Sequence, residues 1–338
     1  MKAFIISGKQ KVEFISVNIK PPGKEELLIT VKTIGLCGSD LKSYNNENPM
    51  VKYPIIPGHE IGGVVVAKGS DVPDSIRIGD KGTVFPYTYC GVCPACKLGR
   101  FNTCAENRTM GVARDGAATE QILIRYKDFI SCPELDFSEI ALIEPLSVGR
   151  HAAMRAGDVR GKNVLIYGLG IVGVGVLLEL KKQGAHVIVA DISEKKLELA
   201  KSIGAEHIIN LNDSDYSDQL DAFKSSGISA IFDAVGAAAI VSAAIENCSV
   251  AGIVVLIGYY NDMHPFNSKL IVSKELTVSG ARNALKSDME SVRDLLLQNK
   301  RLKDLLITKC FDYKKIEQAF RYWNKKKSSV RKIIIEMN

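Results

Sequence analysis

The chain has no uncharged run long enough to cross a bilayer. Its longest stretch free of Asp, Glu, Lys and Arg runs from Asn163 to Leu178, is broken by glycines, and falls short of the ~20 apolar residues that a spanning helix needs. The opening segment MKAFIISGKQ holds too short an apolar run for a secretory leader. Internal repeats, low-complexity tracts and linker-like stretches are absent as well. These absences exclude a membrane span and a repeat array, and the expected location is cytoplasmic. Excess charge is also slight, +6 over 338 residues and spread along the chain, which gives no basis for a nucleic-acid partner. One lysine-rich run, NKKKSSVRK (324–332), lacks interleaved aromatics and reads as a solvated face.

Cysteine is not scarce. The chain has eight, and a reducing compartment argues against a disulfide framework and for metal binding. Cys132, Cys248 and Cys310 stand alone and read as small buried apolar residues.

The length allows two domains with substantial cores. The first part is β-rich: ELLITVKTIGLC (26–37), GGVVVAKG (62–69) and KGTVFPY (81–87) are short β-branched runs punctuated by Gly, Pro and Asp. Near Arg150 the texture changes to strands alternating with helices. NVLIYGLG (163–170) is followed by a helix closed by Gly184, and then by the strand AHVIVADI (185–192). Ser193 reads as the N-cap of the next helix, and further strands are expected at 229–236, 252–260 and 276–281. Such alternation means parallel βαβ units and a doubly wound sheet. The segment after Ala281 is expected to be helical and to end on the strand RKIIIEMN, returning to the first domain.

Gly168, Gly170 and Gly173, with Ile171 and Val172 between them, form G-x-G-x-x-G after a strand and at the start of a helix. In that context the first glycine permits the turn, the second lets backbone approach a pyrophosphate, and the third lets helix and strand pack closely. Asp191 ends the next strand, where its carboxylate would bond a ribose diol and repel a 2′-phosphate. That favours NAD over NADP, although Lys195 and Lys196 lie close enough to soften the discrimination.

Two constellations suit metal. Cys90, Cys93, Cys96 and Cys104 have the spacing C-x2-C-x2-C-x7-C, and four thiolates suit either a closed tetrahedral zinc or an iron–sulfur cluster. Cys37, His59, Glu60 and Glu144 together offer sulfur, nitrogen and carboxylate oxygen, a set that suits a zinc with an open position. Spacing alone does not bring these four together.

The order GLCGSD, PGHEIGG, GDKGTVFPYTYCGVCPAC, LIEPLSVG, GLGIVG resembles the zinc-dependent medium-chain alcohol dehydrogenase superfamily over nearly the full chain. IEPLSVG is similar to the sorbitol and polyol dehydrogenase branch, and SGARNALKSDMESVRDLL to bacterial galactitol-phosphate and galactonate- or gulonate-type dehydrogenases. The resemblance implies an α/β chain in which a GroES-like β-barrel catalytic domain (1–149 and 283–338, structural zinc lobe 86–106) is split by a Rossmann NAD-binding domain (150–282). It implies two zinc ions per chain. The catalytic one would sit on Cys37 and His59 with Glu144 or Glu60 completing the shell, Glu144 in the resting state; the structural one would sit on the four-cysteine lobe.

The expected activity is hydride transfer between a secondary alcohol of a polyol or sugar acid and NAD(H). Ser39 matches the family residue that bonds the reacting oxygen, and Glu60 belongs with it in the catalytic set. Lys42 stands where relatives often carry a relay histidine and is left out of that set. Arg282 and Asn283 follow the last Rossmann strand, where the polyol branch places substrate contacts; a guanidinium there suits hydroxyls or a carboxylate. The rival readings are a threonine or simple-alcohol dehydrogenase on the same scaffold, and a non-catalytic NAD-binding structural protein. A homodimer or homotetramer is expected from the family.

Overall fold

The computed structural model describes residues 1–259, 263, 265–327 and 329–337. Tyr260 of the strand expected at 252–260, Ser328 of the lysine-rich run and Asn338 of the expected C-terminal strand lie outside the described residues. The chain divides into two compact units, Met1–Pro145 with Leu285–Asn338, and Leu146–Ala284.

The first unit opens with the antiparallel pair β1 (Lys2–Gly8) and β2 (Lys11–Ser16). Its main sheet has β3 (Glu26–Leu36) at its centre, with β4 (Glu60–Lys68), β5 (Lys81–Val84), β6 (Gln121–Arg125) and β7 (Phe129–Ser131). Alternate residues of β3 are buried along its first half, as the period of two in ELLITVKTIGL demands. Its last four residues are all buried, and there the strand approaches the metal-ligating candidates.

The second unit is one parallel sheet: β8 (Asn163–Tyr167), β9 (His186–Asp191), β10 (His207–Asn210), β11 (Ala230–Asp233), β12 (Ile253–Leu256) and β13 (Thr277–Gly280). Their order in space is β10-β9-β8-β11-β12-β13, the doubly wound arrangement with its switch point beside β8. The strands read as continuous apolar runs because helices cover both faces of such sheets; Val164, Leu165, Val187, Ile188 and Ile231 are fully buried.

After Ala284 the chain rejoins the first unit. The helix Lys286–Gln298 matches expectation, but β14 (Ile307–Asp312) interrupts the segment expected to be helical. Its thin apolar pattern, with Lys309 and Cys310 exposed, hides an edge strand, and the exposure of Cys310 corrects its reading as a buried residue, whereas Cys132 and Cys248 are buried. It pairs in parallel with β15 (Lys332–Glu336), which pairs antiparallel with β3. The core of this unit includes Phe4, Tyr44 and Phe320, with the Tyr44 and Phe320 rings stacked at 4.8 Å. Tyr44 is thus a core residue. Among the described residues no helix is long and apolar enough to cross a membrane.

Candidate metal centre and cofactor turn

Strand register brings the first constellation together. Gly35 of β3 lies opposite Glu60 of β4, so Cys37 just beyond one strand meets His59 just before the other. One ligand atom each from Cys37, His59 and Glu60 lies within 4.8 Å of the others. Asp40 fastens the two segments: its Oδ2 accepts from the Cys37 amide at 2.9 Å and its Oδ1 from the Gly58 amide at 3.3 Å. Asp40 escaped notice in the sequence, although C-x-x-D at a helix start is a capping-box pattern, and the helix Gly38–Tyr44 has such a box.

Buried polar atoms without partners point into chemistry that protein atoms do not satisfy. His59 Nδ1 and Ser39 Oγ are both in this state. Burial acts to lower the His59 pKa, but the charges of Cys37, Glu144 and Asp40 and a hydrogen bond with Cys37 outweigh it, and the imidazole is held well above its ordinary range. Excess negative charge around a buried imidazole is what a divalent cation would neutralise. The donor set and the unpartnered nitrogen fit zinc.

The two carboxylates differ. Glu60 is fully buried, and both its oxygens accept from Lys332 Nζ, at 2.7 and 2.6 Å. Lys332 is 1% exposed, which corrects the reading of 324–332 as a solvated face at that residue. The first four residues of β15 are all buried, Lys332 among them, and the Glu60 charge and the Leu36 carbonyl, 3.0 Å away, satisfy it there. Glu144, in the first turn of the helix Ile143–Met154, falls outside the 4.8 Å group. Its Oε1 accepts a hydrogen bond from the buried Tyr87 hydroxyl, and its charge is felt at His59. Burial, with His59 and Glu60 acting in opposite directions, leaves the Glu144 pKa raised. Lys42 is exposed.

The four-cysteine lobe is compact. All four sulfurs lie within 4.8 Å of one another and the thiols are free. The Cys104 sulfur is 3.6 Å from that of Cys90 and 3.8 Å from that of Cys93. A tetrahedron of Zn–S bonds has an edge of ~3.8 Å, whereas bridging sulfides in an iron–sulfur cluster hold thiolates further apart. Amides of Cys90, Cys93 and Glu106 donate to the sulfurs, each at 3.3 Å. Hydrogen bonds from the Ala105 and Cys96 amides bring the Cys93 pKa down to about 6, which favours its thiolate, whereas burial first and then the neighbouring thiols push that of Cys96 up to about 12. The lobe fits one zinc ion.

In the second unit Gly168, at φ 88, begins the turn, and Gly170 is the N-cap of the helix Ile171–Lys182. A Cβ on Gly173 would lie 2.1 Å from the Gly168 carbonyl oxygen, so this helix reaches the strand only because residue 173 has no side chain. Asp191 is buried at the end of β9. Its Oδ2 accepts from the Leu169 amide at 2.8 Å and its Oδ1 from the Ser193 amide at 2.9 Å, with Lys196 Nζ at 3.5 Å. Arg282, which is exposed, and Asn283, at φ 54, follow β13 in this unit.

Fold and site define a class, and the comparisons agree. Residues 23–134 match the alcohol dehydrogenase GroES-like domain and residues 172–298 the zinc-binding dehydrogenase domain, so the chain belongs to the zinc-type alcohol dehydrogenase family and is an oxidoreductase. It is 30% identical to L-galactonate-5-dehydrogenase of Escherichia coli K12, over 95% of this chain and 94% of that one. It is 33% identical to sorbitol dehydrogenase of Bacillus subtilis, over 83% and 81%. An alcohol dehydrogenase (rspB) from E. coli CFT073, solved with NADH, superposes with a TM-score of 0.92 at 28% identity, over 100% of this chain and 99% of that one.

Proposed function

We propose that the chain catalyses reversible oxidation of a secondary alcohol of a polyol or sugar acid with NAD(H). The observation that carries this reading is the convergence of Cys37, His59 and Glu60 around a buried, unpartnered imidazole nitrogen. Relatives named for L-galactonate and sorbitol support the substrate class.

Cys37, His59 and a carboxylate would hold the catalytic zinc, and Cys90, Cys93, Cys96 and Cys104 the structural one. When bound, the catalytic zinc supplies Lewis acidity to an alcohol or carbonyl oxygen and the nicotinamide supplies the hydride acceptor. Of the two carboxylates, Glu144 is the better resting ligand. The Lys332 ammonium already neutralises Glu60, and a cation beside it opposes a second cation. Ser39 Oγ, buried without a protein partner, would bond a substrate hydroxyl and receive its proton. The amides of the Gly168–Gly173 turn would receive the pyrophosphate, and the Asp191 carboxylate the ribose diol. The charge of Asp191 favours NAD over NADP. Arg282 suits a hydroxylated or carboxylated substrate. The edge strand β13, with Val278 exposed, suits sheet-to-sheet pairing in a homo-oligomer.

Metal analysis combined with NADH formation across hexitols, hexitol phosphates, hexonates and threonine tests the proposal. Two zinc ions per chain and turnover of a polyol or hexonate are expected. Turnover that survives complete zinc removal would contradict the metal assignment, and activity confined to threonine would contradict the substrate class.

A further inference from the structure

We propose that Tyr87 is a positioning residue of the Cys37–His59 centre, its phenol holding the Glu144 carboxylate in the orientation that completes the metal's ligand set. The inference rests on the reading of Glu144 as the resting ligand.

Tyr87 is 2% exposed and donates its hydroxyl hydrogen to Glu144 Oε1. Its neighbours fix the point from which it donates. The Phe85 and Tyr87 rings meet edge to face with centroids 5.2 Å apart. The Phe85 amide donates to the Asp128 carbonyl at 2.8 Å, and the Pro86 carbonyl accepts from the Met110 amide at 3.0 Å. Thr88 Oγ1 accepts from the Arg108 amide at 2.6 Å. Backbone is therefore anchored on both sides of the phenol.

The chemical contrast between the two carboxylates gives the phenol its role. Lys332 meets Glu60 with a full positive charge and cancels its attraction for a cation. Tyr87, a neutral donor, orients Glu144 without bringing a positive charge of its own. Partners of this kind, hydrogen-bonded to a ligand rather than to the metal, typically govern about 10–100-fold in metal affinity.

The test compares the full-length wild type with Tyr87→Phe, which keeps the ring and removes the hydroxyl. Zinc transfer to a chromogenic chelator is followed, with the four-cysteine site as internal reference, and the ligand-field spectrum is recorded after cobalt(II) replaces zinc. The expected result is about 10–100-fold weaker retention at the Cys37 centre and shifted cobalt bands, with the four-thiolate metal and the thermal midpoint unchanged. Unaltered retention and bands would overturn the proposal. So would loss at both sites together with a lowered midpoint, since the role would then be structural. Glu144→Gln separates the two claims. If it leaves retention and bands unchanged, the reading of Glu144 as ligand fails. If it weakens metal while Tyr87→Phe does not, only the role of Tyr87 fails.

Discussion

Lys332 and Glu60 form an ion pair sealed from water, with the ammonium 2.7 and 2.6 Å from the two carboxylate oxygens. The residues lie far apart in sequence and on different strands, β15 and β4, with β3 between them. Gly35 makes the room: a Cβ there would come within 2.1 Å of Glu60 Oε2. Breaking one side of such a pair strands a charge in the interior, which costs about 3–5 kcal/mol, whereas removing both sides costs far less. Lys332→Met should therefore lower stability in equilibrium urea denaturation by that amount. The double variant Glu60→Gln, Lys332→Met should recover most of it.

A second prediction concerns acid stability. Asp136 caps the short helix Phe137–Ile140, its Oδ1 accepting from the Glu139 amide at 2.9 Å while Lys303 Nζ lies 2.6 Å from Oδ2. Partial burial pushes its pKa up, but the Lys303 bond and the Glu139 amide outweigh that and hold it below the ordinary carboxyl value. A lowered folded-state pKa stabilises above the unfolded value, ~3.9, and the contribution disappears as pH falls through the folded value. Asp136→Ala should cost ~1 kcal/mol at neutral pH through loss of the cap. Asp136→Asn keeps the cap and loses the ion pair, so its smaller deficit should shrink as pH falls below the unfolded value of ~3.9 and vanish once the folded-state carboxyl is protonated, as read in pH-dependent thermal melts.

Local chemistry was legible in the sequence and long-range chemistry was not. The thiol lobe and the glycine turn lie within single short segments, so spacing alone specifies which groups meet. Cys37 and His59 meet through β3–β4 register, and their union was reached by resemblance. Lys332 was invisible for a sharper reason. It closes a run of lysines, and only the strand that begins there turns this one inward. Tyr87 carried no signal either, since an aromatic next to a strand end reads as core until its hydroxyl is found on Glu144.

The Gly168–Gly173 approach yields a third prediction. A methyl group on residue 173 would overlap the Gly168 carbonyl, 2.1 Å away, and that contact is with backbone that cannot rotate aside. Gly173→Ala should push the helix Ile171–Lys182 off the strand and displace the turn amides. NADH fluorescence titration should show affinity reduced at least ~10-fold, equivalent to ~1.4 kcal/mol, with the zinc content unchanged.

Coenzyme choice provides the last prediction. Asp191 uses one oxygen on the Leu169 amide and the other on the Ser193 amide, so it braces the turn as well as presenting charge. Asp191→Asn removes the charge and, because an amide offers a single acceptor oxygen, one of the two braces as well. Lys196, 3.5 Å from the carboxylate, then loses its counterion and becomes available to a 2′-phosphate. The ratio of kcat/KM for NAD over NADP should fall ~10-fold or more, since ~1.4 kcal/mol of relieved repulsion suffices for that change. The fall should come mainly from a lower KM for NADP, because the altered charge faces the adenosine ribose rather than the reacting ring. If the ratio holds while both KM values rise together, the carboxylate acts only as a brace, and discrimination must come from the shape of the turn.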